Sequence, residues 1–236
     1  MAMPSFFVMS HGKRRSELTT SDSSTTVERS IALLWELYAN PEGLSASDLA
    51  RRLDTQRTAL YRLLRPFLRT QFIRRDDRKR YYLGFGITAL ARAVAEPIES
   101  LVRDTLQKLA DATDCSAMII ADTDGILVTV ASASPQRPGM HVAAPPGFVH
   151  ENNDVALRAI DAGRGGAAGN DLLADAARPF SNENRGSATT IALPLHVPII
   201  GSDACILLAS VTPFRLDDVL PLLSHACEVV AHSQDP

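Results

Sequence analysis

RRLDTQRTALYRLLRPFLRTQFIRRDDRKRYYLG, residues 51–84, is the stretch on which the reading of the fold turns. Leu60, Leu63, Leu64 and Phe67 recur at i, i+3, i+4 and i+7, the spacing of a helix face packed on a core. At 100° per residue, Thr58, Tyr61, Arg62, Arg65 and Arg69 lie away from that face, with Arg57 on its border. The helix starts near Gln56. Pro66 lies inside it, removes a donor to the Arg62 carbonyl and disfavours helical geometry at Arg65, so a kink or early end is expected there. Two short β-like runs follow, Phe72–Arg75 and Arg80–Leu83. Asp76-Asp77-Arg78-Lys79 joins them, and aspartate is a common turn former. The expected product is a helix and a hairpin with a basic tip.

Residues 51–80 hold eleven Arg or Lys and three acids, although the chain has a net charge of −3. Residues 1–97 carry +6 and residues 98–236 carry −9. A basic module joined to an acidic one points to a polyanionic partner for the first half only. The length, 236 residues, suits one large domain or two smaller ones. No apolar run approaches the roughly 18 residues of a membrane span. MAMPSFFVMSHGKRRS lacks the charge-first order of a signal peptide, so residues 1–24 are expected to be a disordered tail and the compartment cytoplasmic. Three scattered cysteines give neither a disulfide framework nor a metal pair.

Upstream of the arginines, Val27, Ile31, Leu34, Trp35 and Tyr38 predict a first helix with that face on the core. Thr25-x-x-Glu28 resembles a capping box. Ser45-x-x-Asp48 opens a second, short helix. Three helices and a hairpin make a winged helix-turn-helix over residues 25–86, with the third helix as the groove reader. Ile87–Ala95 is a short helix that Pro97 should break, giving a linker over 87–97. Residues 98–236 read as an α+β domain: a helix over Ile98–Thr113, strands at Ser116–Ala121, Ile126–Ala131, near Met140–Ala144, at Thr189–Val197 and Ala204–Thr212, short helices at Asp154–Asp161 and Leu172–Ala176, and a final helix over Val219–Val230. Asp122-Thr123-Asp124-Gly125 is a hairpin turn without the further ligands of a calcium loop. Gly163–Ala168 fits GxGxxA but follows a helix, so it reads as a loop and not a dinucleotide site. Cys115 and Cys205 sit in or beside apolar strands and read as buried, inert thiols. No metal or other cofactor, no nucleophile–base pair and therefore no enzyme is expected.

TVERSIALLWELYANPEGLSASDLARRL, TALYRLLRPFLRTQFIRRD and RYYLG together resemble the IclR family of bacterial transcription regulators. GILVTVASASPQRPGM and SATTIALPLHVPIIGSDACILLASVTPFRL resemble its effector domain more loosely. The resemblance implies an N-terminal winged helix-turn-helix, a linker helix that helps dimerise, and a C-terminal GAF-like antiparallel sheet flanked by helices. It implies a repressor that binds double-stranded operator DNA and a small-molecule effector such as an organic acid, working as a homodimer or dimer of dimers. By this likeness Thr58, Tyr61 and Arg62 reach base edges, Arg57, Arg65 and Arg69 neutralise phosphates, and the wing residues Arg78, Lys79 and Arg80 touch backbone or minor groove. Met140, Asn152, Asn153, Asp154, Thr190, Ser210 and Thr212 fall at effector-contacting places. Ser210 and Thr212 alternate, and so face one side of the sheet.

The sequence departs from the family's pattern in four places. Gln71 stands where a glycine is usual. Pro66 is in the third helix. HENNDVALRAI, 150–160, lacks the usual Gly and Lys. The region 161–187 is short and is expected to lack the helix and strand that precede the last strand pair. Two other readings stay open: a DNA-binding, oligomerising protein with a vestigial sensor, and an enzyme with an ancillary helix-turn-helix.

Overall fold

The computed structural model describes residues 25–123, 125–151, 153–165, 178–182, 186–195 and 200–232. The expected tail, the 172–176 helix and Asn152 lie outside these. The described chain divides into two compact units after Ala93.

The first unit holds α1 (Thr25–Tyr38), β1 (Leu44–Ser45), α2 (Ala46–Arg52), α3 (Arg57–Arg69), β2 (Ile73–Arg75) and β3 (Arg80–Leu83). The strands form a small antiparallel sheet in the order β1-β3-β2. Its core joins Leu33 and Leu37 of α1, Leu49 of α2, Leu60 and Leu64 of α3, Ile73 and Tyr81. Ser45 caps α2 by accepting the Asp48 N–H at 3.2 Å, and its hydroxyl donates to the Asp48 carboxylate at 2.7 Å. That hydrogen bond, ahead of Arg51, holds the Asp48 carboxyl below the usual carboxylate range.

The face of α1 differs from the expectation. Val27, Ile31, Trp35 and Tyr38 are 56, 50, 40 and 45 % exposed, while Leu33 and Leu37 are 0 and 2 % exposed. Residues 31–35 are apolar without interruption, so periodicity alone offers two faces. Tertiary packing chose the one that also buries Glu36, whose carboxylate Arg52 of α2 meets at 3.1 Å.

Neither proline ends its helix. α3 runs through Pro66 to Arg69. One helix, α4, runs from Gly86 to Thr113 through Pro97. A proline removes one hydrogen bond, and the solvent-exposed side of a long helix tolerates that loss; both prolines are exposed. Gln71, after α3, adopts φ +58°. It takes the left-handed turn usually given to glycine, and its amide donates to the Leu68 carbonyl at 3.1 Å.

The second unit is a six-stranded antiparallel sheet in the order β6-β5-β4-β9-β8-β7. Its strands are β4 (Ser116–Thr123), β5 (Ile126–Ala133), β6 (Val149–His150), β7 (Arg178–Asn182), β8 (Gly186–Leu195) and β9 (Asp203–Ser210), with helices α5 (Asp154–Gly165) and α6 (Leu216–His232). Alternation sorts the side chains. Ala117, Ile119, Ile191, Ile206 and Leu208 pack with Val102 and Leu106 of α4 and Leu223 of α6. Met118, Ile120, Ala192, Cys205, Leu207 and Ala209 pack with Val155, Ala156 and Ile160 of α5 on the other face.

Three expectations are corrected here. Residues 140–144 are not a strand; the edge strand is Val149–His150, paired with Leu127 and Val128. A strand does precede β8, since β7 pairs along it from Arg178↔Thr190 to Asn182↔Gly186. Gly163 and Gly165 belong to the last turn of α5 rather than to a loop.

Candidate nucleic-acid interface and effector face

Thr58, Tyr61, Arg62, Arg65 and Arg69 all lie exposed along one side of α3. The opposite side is fixed by the buried Leu60, Leu63 and Leu64. Among the described residues, Arg62, Arg65 and Arg69 have no ion-pair partner. Arg57 differs: its guanidinium donates to Ser47 Oγ at 3.0 Å and ties the start of α3 to α2.

The wing is a braced turn. Lys79 N–H donates to the Asp76 carbonyl and Asp76 N–H to the Arg80 carbonyl, each at 3.0 Å. The Asp76 carboxylate accepts Arg80 N–H at 2.8 Å and the Tyr82 hydroxyl at 2.9 Å. The Arg80 amide above all holds the Asp76 carboxyl below its ordinary range. Lys79 takes φ +63°, the left-handed position that follows a type I turn in a three-residue hairpin loop. Arg78 and Lys79 are exposed at the tip. Arg80 is not free in the same way. Its guanidinium sits on the Gly43 carbonyl, with Nε at 3.2 Å, and clasps the hairpin to the α1–α2 connection. Arg74 lies 4.2 Å over the Tyr82 ring and Arg75 5.5 Å from the Tyr81 ring. The sequence marked Asp76 only as a turn residue and gave Arg74 and Arg75 no individual role, because their contacts depend on cross-strand neighbours.

The residues placed in an effector site do not all converge. Met140 is 78 % exposed. Asp154 is exposed in the first turn of α5. Asn153 caps that helix, its side-chain oxygen accepting Ala156 N–H at 3.0 Å. Thr190 is buried and pairs with Ala209, on the α5 face. Ser210 pairs with Thr189 and alternates with Leu208 and Ile206, which places it on the opposite face. Its hydroxyl contacts Thr212 Oγ1 at 3.0 Å and accepts Thr212 N–H at 3.2 Å. Thr190 and Ser210 therefore do not share one side of the sheet.

The α5 face carries polar groups that motif reading passed over. His150 Nε2 lies 2.8 Å from the buried Thr129 hydroxyl, and Nδ1 faces the Asn153 amide at 3.5 Å. Burial lowers the His150 pKa to about 4. Ser116 Oγ is buried without a hydrogen-bond partner. At the far end of α5, Arg164 meets Asp203 at 2.6 Å and Asp122 and Asp161 at 2.8 Å each. Cys115 and Cys205 are buried, and burial pushes both thiols up, as inert core cysteines require.

Residues 26–77 match the model of the IclR helix-turn-helix domain. No curated protein matches the chain in sequence. The structure of an IclR-family transcriptional regulator from Brucella abortus superposes with a TM-score of 0.71 at 18 % identity, over 91 % of this chain and 94 % of that one. An IclR transcriptional regulator from Alicyclobacillus acidocaldarius gives 0.65 at 18 % identity, over 91 % and 100 %. An IclR homolog from Microbacterium hydrocarbonoxydans, complexed with 4-hydroxybenzoate, gives 0.60 at 13 %, over 88 % and 98 %. These superpositions show a shared fold. No helix among the described residues is long and apolar enough to cross a membrane. The chain therefore carries an IclR helix-turn-helix domain at residues 26–77 and shares its fold with IclR-family structures.

Proposed function

We propose that this regulator is a cytoplasmic, homodimeric repressor that releases or tightens on its operator when a small organic acid binds the second unit. The observation that carries the DNA reading is the basic face of α3, where Arg62, Arg65 and Arg69 have no ion-pair partner among the described residues, set beside a braced wing. Thr58, Tyr61 and Arg62 are assigned to base edges. Arg57, Arg65 and Arg69 are assigned to phosphates, with Arg78 and Lys79 reaching from the wing tip. Arg80 acts mainly through the wing it holds. Repression asks only for operator occupancy, whereas activation needs a further surface for polymerase.

The test is anisotropy on duplex DNA from beside the protein's own gene, against scrambled duplex, across a salt series. Preference for the native duplex at about 150 mM salt is expected, because phosphate-only binding fades there. Arg62→Ala should weaken specific binding by about 1–3 kcal/mol and non-specific binding less. Equal losses on both duplexes would assign Arg62 to phosphate. Equal, salt-sensitive binding by the wild type would remove the sequence-reading role.

Dimerisation is supported by the apolar strip left open on α1. Val27, Ile31, Trp35 and Tyr38 share a helix side, and Trp35 and Tyr38 meet edge to face at 5.7 Å. Leu90 and Val94 of α4 are exposed as well. A strip of this kind on a soluble protein marks an association surface. Trp35→Arg should weaken self-association at least about tenfold by analytical ultracentrifugation; an unchanged dimer would place the interface elsewhere.

The effector reading is supported by the α5 face with its buried polar groups, and by the 4-hydroxybenzoate held by the Microbacterium homolog. The ligand shifts DNA affinity only by its preference for one arrangement of the two DNA heads.

A further inference from the structure

Arg74 and Arg75 are neighbours on β2 and both are exposed. Strand alternation turns them to opposite faces of the wing sheet. Arg74 pairs with Tyr82, and Arg75 with Tyr81. On the outer face the Arg74 guanidinium lies 4.2 Å from the centre of the Tyr82 ring. That ring covers Gly43, where an added Cβ would collide with it. The Asp76 carboxylate is engaged by the Tyr82 hydroxyl at 2.9 Å and by the Arg80 N–H at 2.8 Å. Arg74 is therefore part of the brace that holds the wing.

Arg75 faces the other way. Its side of the hairpin carries Ile73 and Tyr81, which join the core with Leu60 and Leu64 of α3, and β2 packs against α3. The Arg75 guanidinium lies 5.5 Å from the centre of the Tyr81 ring, within cation–π reach. Burial pushes the Tyr81 phenol up, Arg75 draws it down and Tyr61 of α3 adds to the rise, so both side chains lie near it. Tyr61 is on the exposed side of α3, one turn from Arg57 and from Arg65. Arg75 thus stands at the seam between α3 and the wing. Among the described residues its guanidinium has no ion-pair partner.

We infer that Arg75 is a further DNA-contacting residue, gripping a backbone phosphate between α3 and the wing, and that Arg74 beside it is not. This rests on the DNA reading and deepens it. With α3 in a major groove and the wing beside it, the phosphates bordering that groove run across the seam. A guanidinium suits them, since it is always charged and donates two parallel N–H groups to phosphate oxygens. Arg75 is already held over Tyr81, so binding costs it less rotamer freedom than it costs Arg78 and Lys79 at the exposed tip.

The test uses the full chain, with the native and scrambled duplexes, a salt series and thermal melts. Arg75→Ala should lower the slope of log affinity against log salt by about one unit and weaken binding about fivefold at about 150 mM salt. The loss should be equal on both duplexes, because a phosphate carries no sequence information. Arg75→Lys keeps the charge and should keep most of the slope. Arg74→Ala should change the slope by less than half as much as Arg75→Ala. If Arg75→Ala melts well below the wild type, Arg75→Gln, which keeps a longer stem over Tyr81, decides by its slope. An unchanged slope in Arg75→Ala and Arg75→Gln would overturn the inference. So would an equal drop in Arg74→Ala, or a loss confined to the native duplex, which would make Arg75 a base reader. Wild type that binds DNA yet gives one of these results loses only the Arg75 contact. Wild type that binds neither duplex loses the regulator reading and this contact with it.

Discussion

Arg164→Ala should destabilise the second unit by about 2–3 kcal/mol in urea unfolding at neutral pH. Arg164 uses its whole fork: Nε to Asp203 at 2.6 Å, Nη1 to Asp161 and Nη2 to Asp122, each at 2.8 Å. These carboxylates, Asp203 first, raise its pKa above the ordinary arginine value. Asp203 and Asp161 are partly exposed, and water would serve them if the guanidinium were gone. Asp122 is different, because its side chain is only 4 % exposed. It would keep the Gly125 N–H, at 2.7 Å, and lose its only cation in the cluster. An isolated buried carboxylate costs several kcal/mol before relaxation. The exposed side of the cluster lets water in, which brings the expected figure down. Arg164→Lys should fall between, because one ammonium cannot match three separated carboxylates. A loss below about 0.5 kcal/mol for the alanine variant would show that Asp122 is already reached by solvent.

That cluster also shows what a sequence can and cannot reveal. Asp122, Asp161, Arg164 and Asp203 are spread over 82 positions, and no spacing rule unites them. The helix α3 is the opposite case. Its four-residue apolar stripe fixed both its buried side and the direction of its arginines, because a helix carries its own angular ruler. The wing was legible for the same local reason, through Asp76-Asp77-Arg78-Lys79. α1 was not, since a five-residue apolar run gives two faces of equal merit, and the packing that buries Leu33 and Leu37 decides between them. Pro66 and Pro97 invited breaks that did not occur, because flanking turns held by packing outweigh one missing hydrogen bond. The α5 face was half legible. Asn153 caps a helix that Asp154 opens, and the sequence expected a helix to start there. Whether Thr190 and Ser210 face the same way depends on the parity of two strands, and that parity is set by pairing partners far away in sequence.

His150 should make the second unit sensitive to mild acid. Burial holds its imidazole at a pKa of about 4, against about 6.5 for an unfolded histidine. A neutral ring with its proton on Nε2 donates to Thr129 Oγ1 at 2.8 Å and offers Nδ1 to the Asn153 amide. Between these two pKa values the unfolded chain binds the proton and the folded chain does not. Stability from this group is therefore complete above pH 6.5, falls as pH drops through the window from 6.5 to 4, and levels off below it. The full separation corresponds to about 3 kcal/mol. The ring is only partly enclosed, so about 2–3 kcal/mol is expected. Asp48 and Asp76, whose carboxyl groups are held below their ordinary range, lose their stabilisation at still lower pH and in the first unit. The clean measurement is the difference between wild type and His150→Gln, followed by urea unfolding from pH 7.5 to 4. The glutamine can still bond Thr129 and does not titrate, so the variant should gain on the wild type as pH falls. Parallel curves for the two proteins would mean that the folded and unfolded histidines titrate alike, and that the β6–α5 junction opens to water.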